Sequence, residues 1–239
     1  MSDRSESGVD PIGAIEARLL DAALRVAPVV GWRSGLLEAS AREAGVSPVE
    51  ATLLMPDGTR DLSATLFARH DAAAMAVLAA QPYPERTSAR IRLAVMTRAE
   101  AAMADEAAVR RASAYLALPQ HAALGARLTW ATADRLWRWA GDTATDENHY
   151  SKRAILSGVL VSVIAAWLRG GRAMAEETLD RRLRDVAGFE RWKASLPTPA
   201  GWAQAAASAL GALRYGRDRA PEPAPYVPPR LTDETGPGG

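Results

Sequence analysis

The sequence predicts an all-α protein, and three observations predict it. Ala accounts for 51 of the 239 residues and Arg for 27 of the 29 basic ones, both strong helix formers. Aromatic residues make up only 6%, with two Phe, so strand-favouring side chains are scarce. Apolar positions recur at helical spacing in one segment after another, separated by Pro and Gly punctuation.

The elements follow in order. Ile12, Ile15, Leu19, Ala22, Ala23 and Val26 share one face of a helix over 12–27, and a turn is expected at Pro28–Gly31. A short helix over 35–44 stops at Gly45. Ser47-Pro48 then supplies an N-cap with Pro in the first turn, and Met55-Pro56-Asp57-Gly58 ends that helix within two turns. A longer helix runs from Asp61 to about Ala80, before Gln81-Pro82-Tyr83-Pro84. Further helices are expected over 86–103, 106–117, 120–140, 146–169 and 174–195, and Thr198-Pro199 opens one reaching Leu213. These ten helices divide into residues 12–60, a three-helix unit, and 61–213, a larger helical domain. Residues 1–11 and the Pro-rich tail 214–239 are expected to be disordered.

Composition also limits function. With no Cys, disulfides, thiolate metal sites and Cys nucleophiles are excluded. A net charge of +1 argues against a general polyanion binder. Residues 1–10 resemble neither a secretory signal nor a transit peptide. The uncharged run Ala154–Leu168 spans about 22 Å as a helix, short of a ~30 Å hydrocarbon core, and reads as a buried core helix.

Residues 35–54 have the outline of a helix-turn-helix, and Ala41-Arg42-Glu43-Ala44-Gly45-Val46-Ser47 is similar to the stretch found in TetR-type repressors. A TetR-type DNA-binding regulator is therefore the alternative reading. Charge opposes it: Arg42 stands against Glu38, Glu43 and Glu50 between Gly35 and Met55, a net of −2. The helix that would enter the groove, Pro48–Leu54, has no Lys, Arg, Asn or Gln, so it lacks both phosphate neutralisation and base readout.

The most specific stretch is Asp134–Arg153, DRLWRWAGDTATDENHYSKR. Helix punctuation alone accounts for Gly141, Asp142, Thr145 and Asp146. Trp placement is less ordinary. Trp130 and Trp137 lie on nearly one face, but Trp137 and Trp139 are about 200° apart, so unless the helix is buried all round one indole projects outward. Asp146-x-x-His149 has the spacing of half a di-iron carboxylate site, but no second half accompanies it. There is no Gly-rich phosphate loop, Ser elbow or H-E-x-x-H, and an enzyme is not expected.

On these residues the chain resembles the TetR-fold lipid-binding accessory proteins of ubiquinone (coenzyme Q) biosynthesis. The family pattern is met by Trp137, Ala140-Gly141-Asp142, Thr145-Asp146, Asn148, Tyr150, Lys152 and Arg153. Gly31-Trp32, Met55-Pro56-Asp57-Gly58 with Asp61-Leu62, Arg90-Ile91-Arg92 and Leu118-Pro119-Gln120 match upstream. Ala144, Glu147, His149 and Val161-Ser162 depart from the pattern. The resemblance implies a TetR/FadR-like helical bundle with a degenerate N-terminal helix-turn-helix and a larger C-terminal lipid-binding domain. It further implies a non-catalytic homodimer without cofactor or metal that does not bind nucleic acid. Such a protein holds an isoprenoid quinone intermediate, sits peripherally on the cytoplasmic side of the inner membrane, and presents the lipid to the di-iron demethoxyubiquinone hydroxylase. Carried over, Trp137, Trp139 and Asp142 form the partner surface, while Gly141, Asp146, Asn148, Tyr150 and Arg153 complete the motif. Leu124, Leu128, Ile155, Val159 and Val163 are the expected lipid wall. Leu179, Leu183 and Val186, flanked by Arg181, Arg182 and Arg184, are the expected membrane face, and the apolar side of 202–213 is a weaker second candidate.

Overall fold

A computed structural model describes residues 10–143 and 147–194, with side chains placed for 10–143 and 149–186. They belong to one compact unit, Met1–Ala194. The expected helix at 198–213, both chain ends and Asp146 lie outside the described residues, as does the side chain of Asn148. Among the described residues there are eight helices and no strand.

Helix α1 (Pro11–Val30) starts where Asp10 accepts a hydrogen bond from the Ile12 amide and Pro11 takes the first position. It continues one turn past the expected stop at Pro28. In that last turn Pro costs only the amide bond to the Leu24 carbonyl, and Gly31, at φ 84°, closes the helix instead, donating to the Ala27 carbonyl. Helix α2 (Leu36–Ala44) ends at Gly45, whose φ of 64° only glycine adopts without strain. Ser47 then caps α3 (Pro48–Leu54), accepting from the Glu50 amide at 3.1 Å. Helix α4 (Thr59–Ala79) begins two residues before Asp61, whose carboxylate accepts from the Asp57 amide. Then come α5 (Thr87–Met103), α6 (Glu106–Leu116), α7 (Ala122–Trp139) and α8 (Glu147–Ala194). The sequence predicts two helices where α8 lies, and a kink at Gly170–Gly171 does divide it into arms 147–169 and 172–194; Gly171 has φ 74°.

Two apolar cores result. The first joins α1, α2, α3 and α6 to the N-terminal half of α4 through Leu19, Leu20, Leu36, Leu62 and Leu66. Within it Trp32 donates its indole N–H to Ser63 Oγ at 2.9 Å, which satisfies its one polar atom. The second joins the C-terminal half of α4 to α5, α7 and α8 through Leu78, Ile91, Val95, Leu136, Leu156, Val163 and Leu179. Helix α4 therefore packs into both. Segment His149–Val186 of α8 is, by length and composition, apolar enough to cross a membrane; 28% of its most apolar 18-residue window is buried.

Helix α3 exposes Val49 and Leu53, 71% and 77% accessible, together with Glu50. Apolar and acidic side chains thus stand where a DNA reader needs cations and amides.

Candidate functional site

The Trp and Gly-Asp segment forms the corner between α7 and α8. Gly141 ends α7 at φ 89°, donating its amide to the Arg138 carbonyl while Asp142 donates to the Trp137 carbonyl, the paired bonds of a Schellman close. A Cβ here would lie 3.1 Å from the Tyr83 hydroxyl and 3.4 Å from an Arg90 nitrogen, so space as well as conformation calls for glycine. Arg90 donates to the Ala140 carbonyl at 3.2 Å, which gives the upstream Arg90-Ile91-Arg92 match a physical task.

Turned back by that close, Asp142 meets the start of α8. Its carboxylate, 6% exposed, accepts from Lys152 Nζ at 2.7 Å and from Arg153 at 2.9 Å. Arg153 is almost wholly buried and also donates to Asp134 at 2.7 Å and to the His149 carbonyl at 3.1 Å. Burial works against ionisation of Asp134 and Asp142, but the hydrogen bonds and charges of their cationic partners prevail and hold both carboxyls below their ordinary range.

The expectation that one indole projects outward is corrected. Trp137 and Trp139 are both half-buried against the second core. Trp137 donates its indole N–H to the Lys152 carbonyl at 3.0 Å and has the Lys152 ammonium 5.4 Å from its ring. On the opposite side Tyr83 packs edge-on to Trp139, centroids 5.3 Å apart, and donates to its carbonyl. The α7 end is wedged between α8 and the α4–α5 loop, so both faces are partly covered. Tyr150 is 65% exposed beside His149.

A cavity of about 270 Å³ opens between α4, α5, α6, α7 and the first arm of α8. Apolar side chains dominate its wall, among them Leu66, Val109, Leu116, Leu160, Ile164 and Leu168. The run Ala154–Leu168 does supply one wall, but through Leu160, Val161, Ile164, Ala165 and Leu168. None of Leu124, Leu128, Ile155, Val159 and Val163 lines this cavity. Val159 and Val163 lie in the second core, Ile155 packs against that core, and Leu124 is buried elsewhere on α7. The lining thus falls one residue further along the helix, a rotation of about 100°.

The expected membrane face turns inward. Leu179 is fully buried in the second core, Leu183 packs against it and Val186 is half-buried. Apolar spacing on the second arm therefore serves the protein's own interior, with Arg181 and Arg184 exposed beside it.

One end of the cavity is polar. Asp71, 5% exposed, accepts from Arg98 Nε at 2.5 Å, Thr132 Oγ1 at 2.9 Å and Arg135 at 2.7 Å. His70, 3% exposed, lies 2.9 Å through Nε2 from Asp105. Burial pushes the His70 imidazole below its usual range against the raising effect of Asp105, with Arg98 adding to the lowering, so the ring is neutral at pH 7. Sequence reasoning missed this group. Its members come from α4, α5, α7 and the residue that precedes α6, with partners 27, 35, 61 and 64 positions apart, and no local spacing signals them. No cluster of three or more His, Asp or Glu side chains able to hold a metal occurs among the described residues.

Residues 122–190 match the COQ9 family. This stretch is α7, the corner and most of α8, so the match covers the motif and two walls of the cavity. The chain is also 27% identical over 195 residues to the mitochondrial ubiquinone biosynthesis protein COQ9 of Rattus norvegicus, covering 77% of this chain and 62% of the relative. The COQ9 proteins of Bos taurus and Homo sapiens are 26% and 25% identical over 182 residues, covering 72% of this chain and 57% of each relative. The chain thus spans about three fifths of the length of the curated relatives it matches. The resemblance read from the Trp137–Arg153 motif is the one these matches bear out.

Proposed function

We propose that the protein is a non-catalytic lipid-binding accessory protein of ubiquinone biosynthesis. In this reading it holds an isoprenoid quinone intermediate in the α4–α8 cavity and presents it at the membrane to the di-iron demethoxyubiquinone hydroxylase. The observation that carries the reading is that the COQ9-matching helix pair, α7 and α8, walls an apolar cavity of a size suited to a small ring and the start of a tail. The weak reader helix α3 supports the same reading over the DNA-binding alternative. The protein acts as a homodimer lying peripherally on the cytoplasmic face of the inner membrane. The hydroxylase docks at the α7–α8 corner, where Trp137 and Trp139 each keep an accessible edge and Asp142 acts by holding the corner rigid.

Organic extraction of the purified full chain, followed by mass spectrometry, should release an isoprenoid or a quinone; repeated recovery of neither from folded protein overturns the proposal. Trp137→Lys should weaken capture of the hydroxylase. Because that indole also packs on the core, its melting temperature is read alongside, and Trp137→Phe with retained stability gives the cleaner comparison.

A further inference from the structure

The cavity is not uniformly apolar, and its polar end has donors to spare. Arg98 is only 5% exposed, lines the cavity and uses Nε on Asp71. For its two terminal nitrogens no protein acceptor occurs among the described residues, and neither is among the buried polar atoms sealed off without a partner. A buried guanidinium that gives one edge to a carboxylate and leaves the other bordering a void is a prepared hydrogen-bond donor. The Phe67 ring lies 5.5 Å from the same guanidinium and His70 adds a second flat ring to the wall. With Nε2–H given to Asp105, the neutral imidazole retains a lone pair on Nδ1.

Charge narrows the ligand. Arg98 and Arg135 are matched by Asp71 and Asp105, and His70 is neutral, so the polar end carries no net charge. A dianionic head would enter without a counter-charge, at the desolvation cost that burial imposes. A neutral acceptor oxygen gains the free guanidinium donors without that cost. Size narrows it further. At about 270 Å³ the cavity takes a ring and the beginning of a chain, and Val161 and Ala165, lining residues that are also exposed, mark a side on which a longer tail would leave.

We infer that the Arg98–His70 end of the cavity is a head-group subsite that selects a neutral ring bearing a carbonyl or phenol oxygen, with Arg98 as the donor to that oxygen. This rests on the cavity being the lipid site proposed above. The tail alone would give such a site no means of telling a quinone from a hydrocarbon; Arg98 provides it.

The test is competitive loading of the full chain with equimolar farnesyl-1,4-benzoquinone and farnesylbenzene, removal of free lipid by gel filtration, and quantification of what is retained. Wild type should retain the quinone at least tenfold over the hydrocarbon. Arg98→Met should bring the ratio close to one while hydrocarbon retention stays, since Asp71 keeps Arg135 and Thr132. Ala102→Leu, one turn further along α5 on the cavity wall, should lower the ratio with the Arg98–Asp71 pair intact, and it serves as the readout if Arg98→Met does not fold. Equal retention by wild type, or an unchanged ratio in the folded variants, overturns the subsite and leaves the lipid cavity standing. Retention of neither probe overturns the cavity reading and the subsite with it. Farnesyl diphosphate displacing the quinone from wild type overturns the neutral-head assignment.

Discussion

Arg153 carries a full charge at 1% exposure, a placement that survives only if its donors are used. Asp134, Asp142 and the His149 carbonyl take them, and in doing so tie the end of α7 to the beginning of α8. Removing the guanidinium leaves Asp142 with Lys152 and Asp134 with Arg138, so the penalty falls at the lower end for a broken buried pair. Arg153→Met should cost about 3 kcal/mol in urea unfolding. The two carboxyls have folded pKa values below their unfolded ones, so their contribution is complete above about pH 4 and is lost as the pH falls through the folded values. The gap in melting temperature between wild type and Arg153→Met should therefore narrow from pH 6 to pH 3. A constant gap would mean that packing of the long side chain, and not the ion pairs, explains the loss. The motif residues were visible in the sequence, but their geometry was not. Asp142 reads equally as a helix-end residue and a surface acid until Arg153 is seen beneath it.

At the scale of elements, most boundaries were legible because they are set locally. Ser47-Pro48 acts through the Ser47 hydroxyl and the fixed φ of Pro48, Gly45 and Gly141 through their own backbone, and each stands where the sequence places it. Pro28 deceived because a proline in a last turn forfeits only one bond. The cavity face was not legible. Val159 and Leu160 are both apolar and differ only in which neighbour the helix turns them toward, a decision taken by α4, α5, α6 and α7 together. The kink in α8 offers a sharp test of local control. A Cβ at Gly171 meets nothing within 4 Å, so Gly171→Ala should register only the strain of φ 74° with ψ −169°, a region essentially reserved for glycine, about 1–3 kcal/mol. At Gly170 the backbone is non-helical but φ is negative, −144°, and the closest obstruction is the flexible end of Met174, which can move, with Met174 Cβ 3.2 Å away. Gly170→Ala should be the milder change in thermal unfolding; a reversed order would show that the kink is held by packing and not by glycine.

For the molecule as a whole, helix α4 decides how the two cores behave. It contributes Leu62 and Leu66 to one and Leu78 to the other, and Phe67 and His70, between them, line the cavity. Unfolding should be a single transition across residues 10–194. Trp32 reports the first core and Trp137 the second, so single-Trp variants retaining one or the other should give coincident urea curves. Two separated midpoints would show that the cores hold independently.

A helix shared in this way also sets what can be cut. The segment resembling a repressor's reader looks like a detachable module in the sequence, and trimming it away to obtain the cavity-bearing helices alone would be an obvious engineering step. Yet α1 and α2 supply most of the apolar side chains packed with Leu62 and Leu66. A chain begun at α4 would carry a bare leucine seam along the helix that forms the cavity wall. The expected product is sticky and poorly soluble, and a designer who wants the cavity alone must first rewrite the seam.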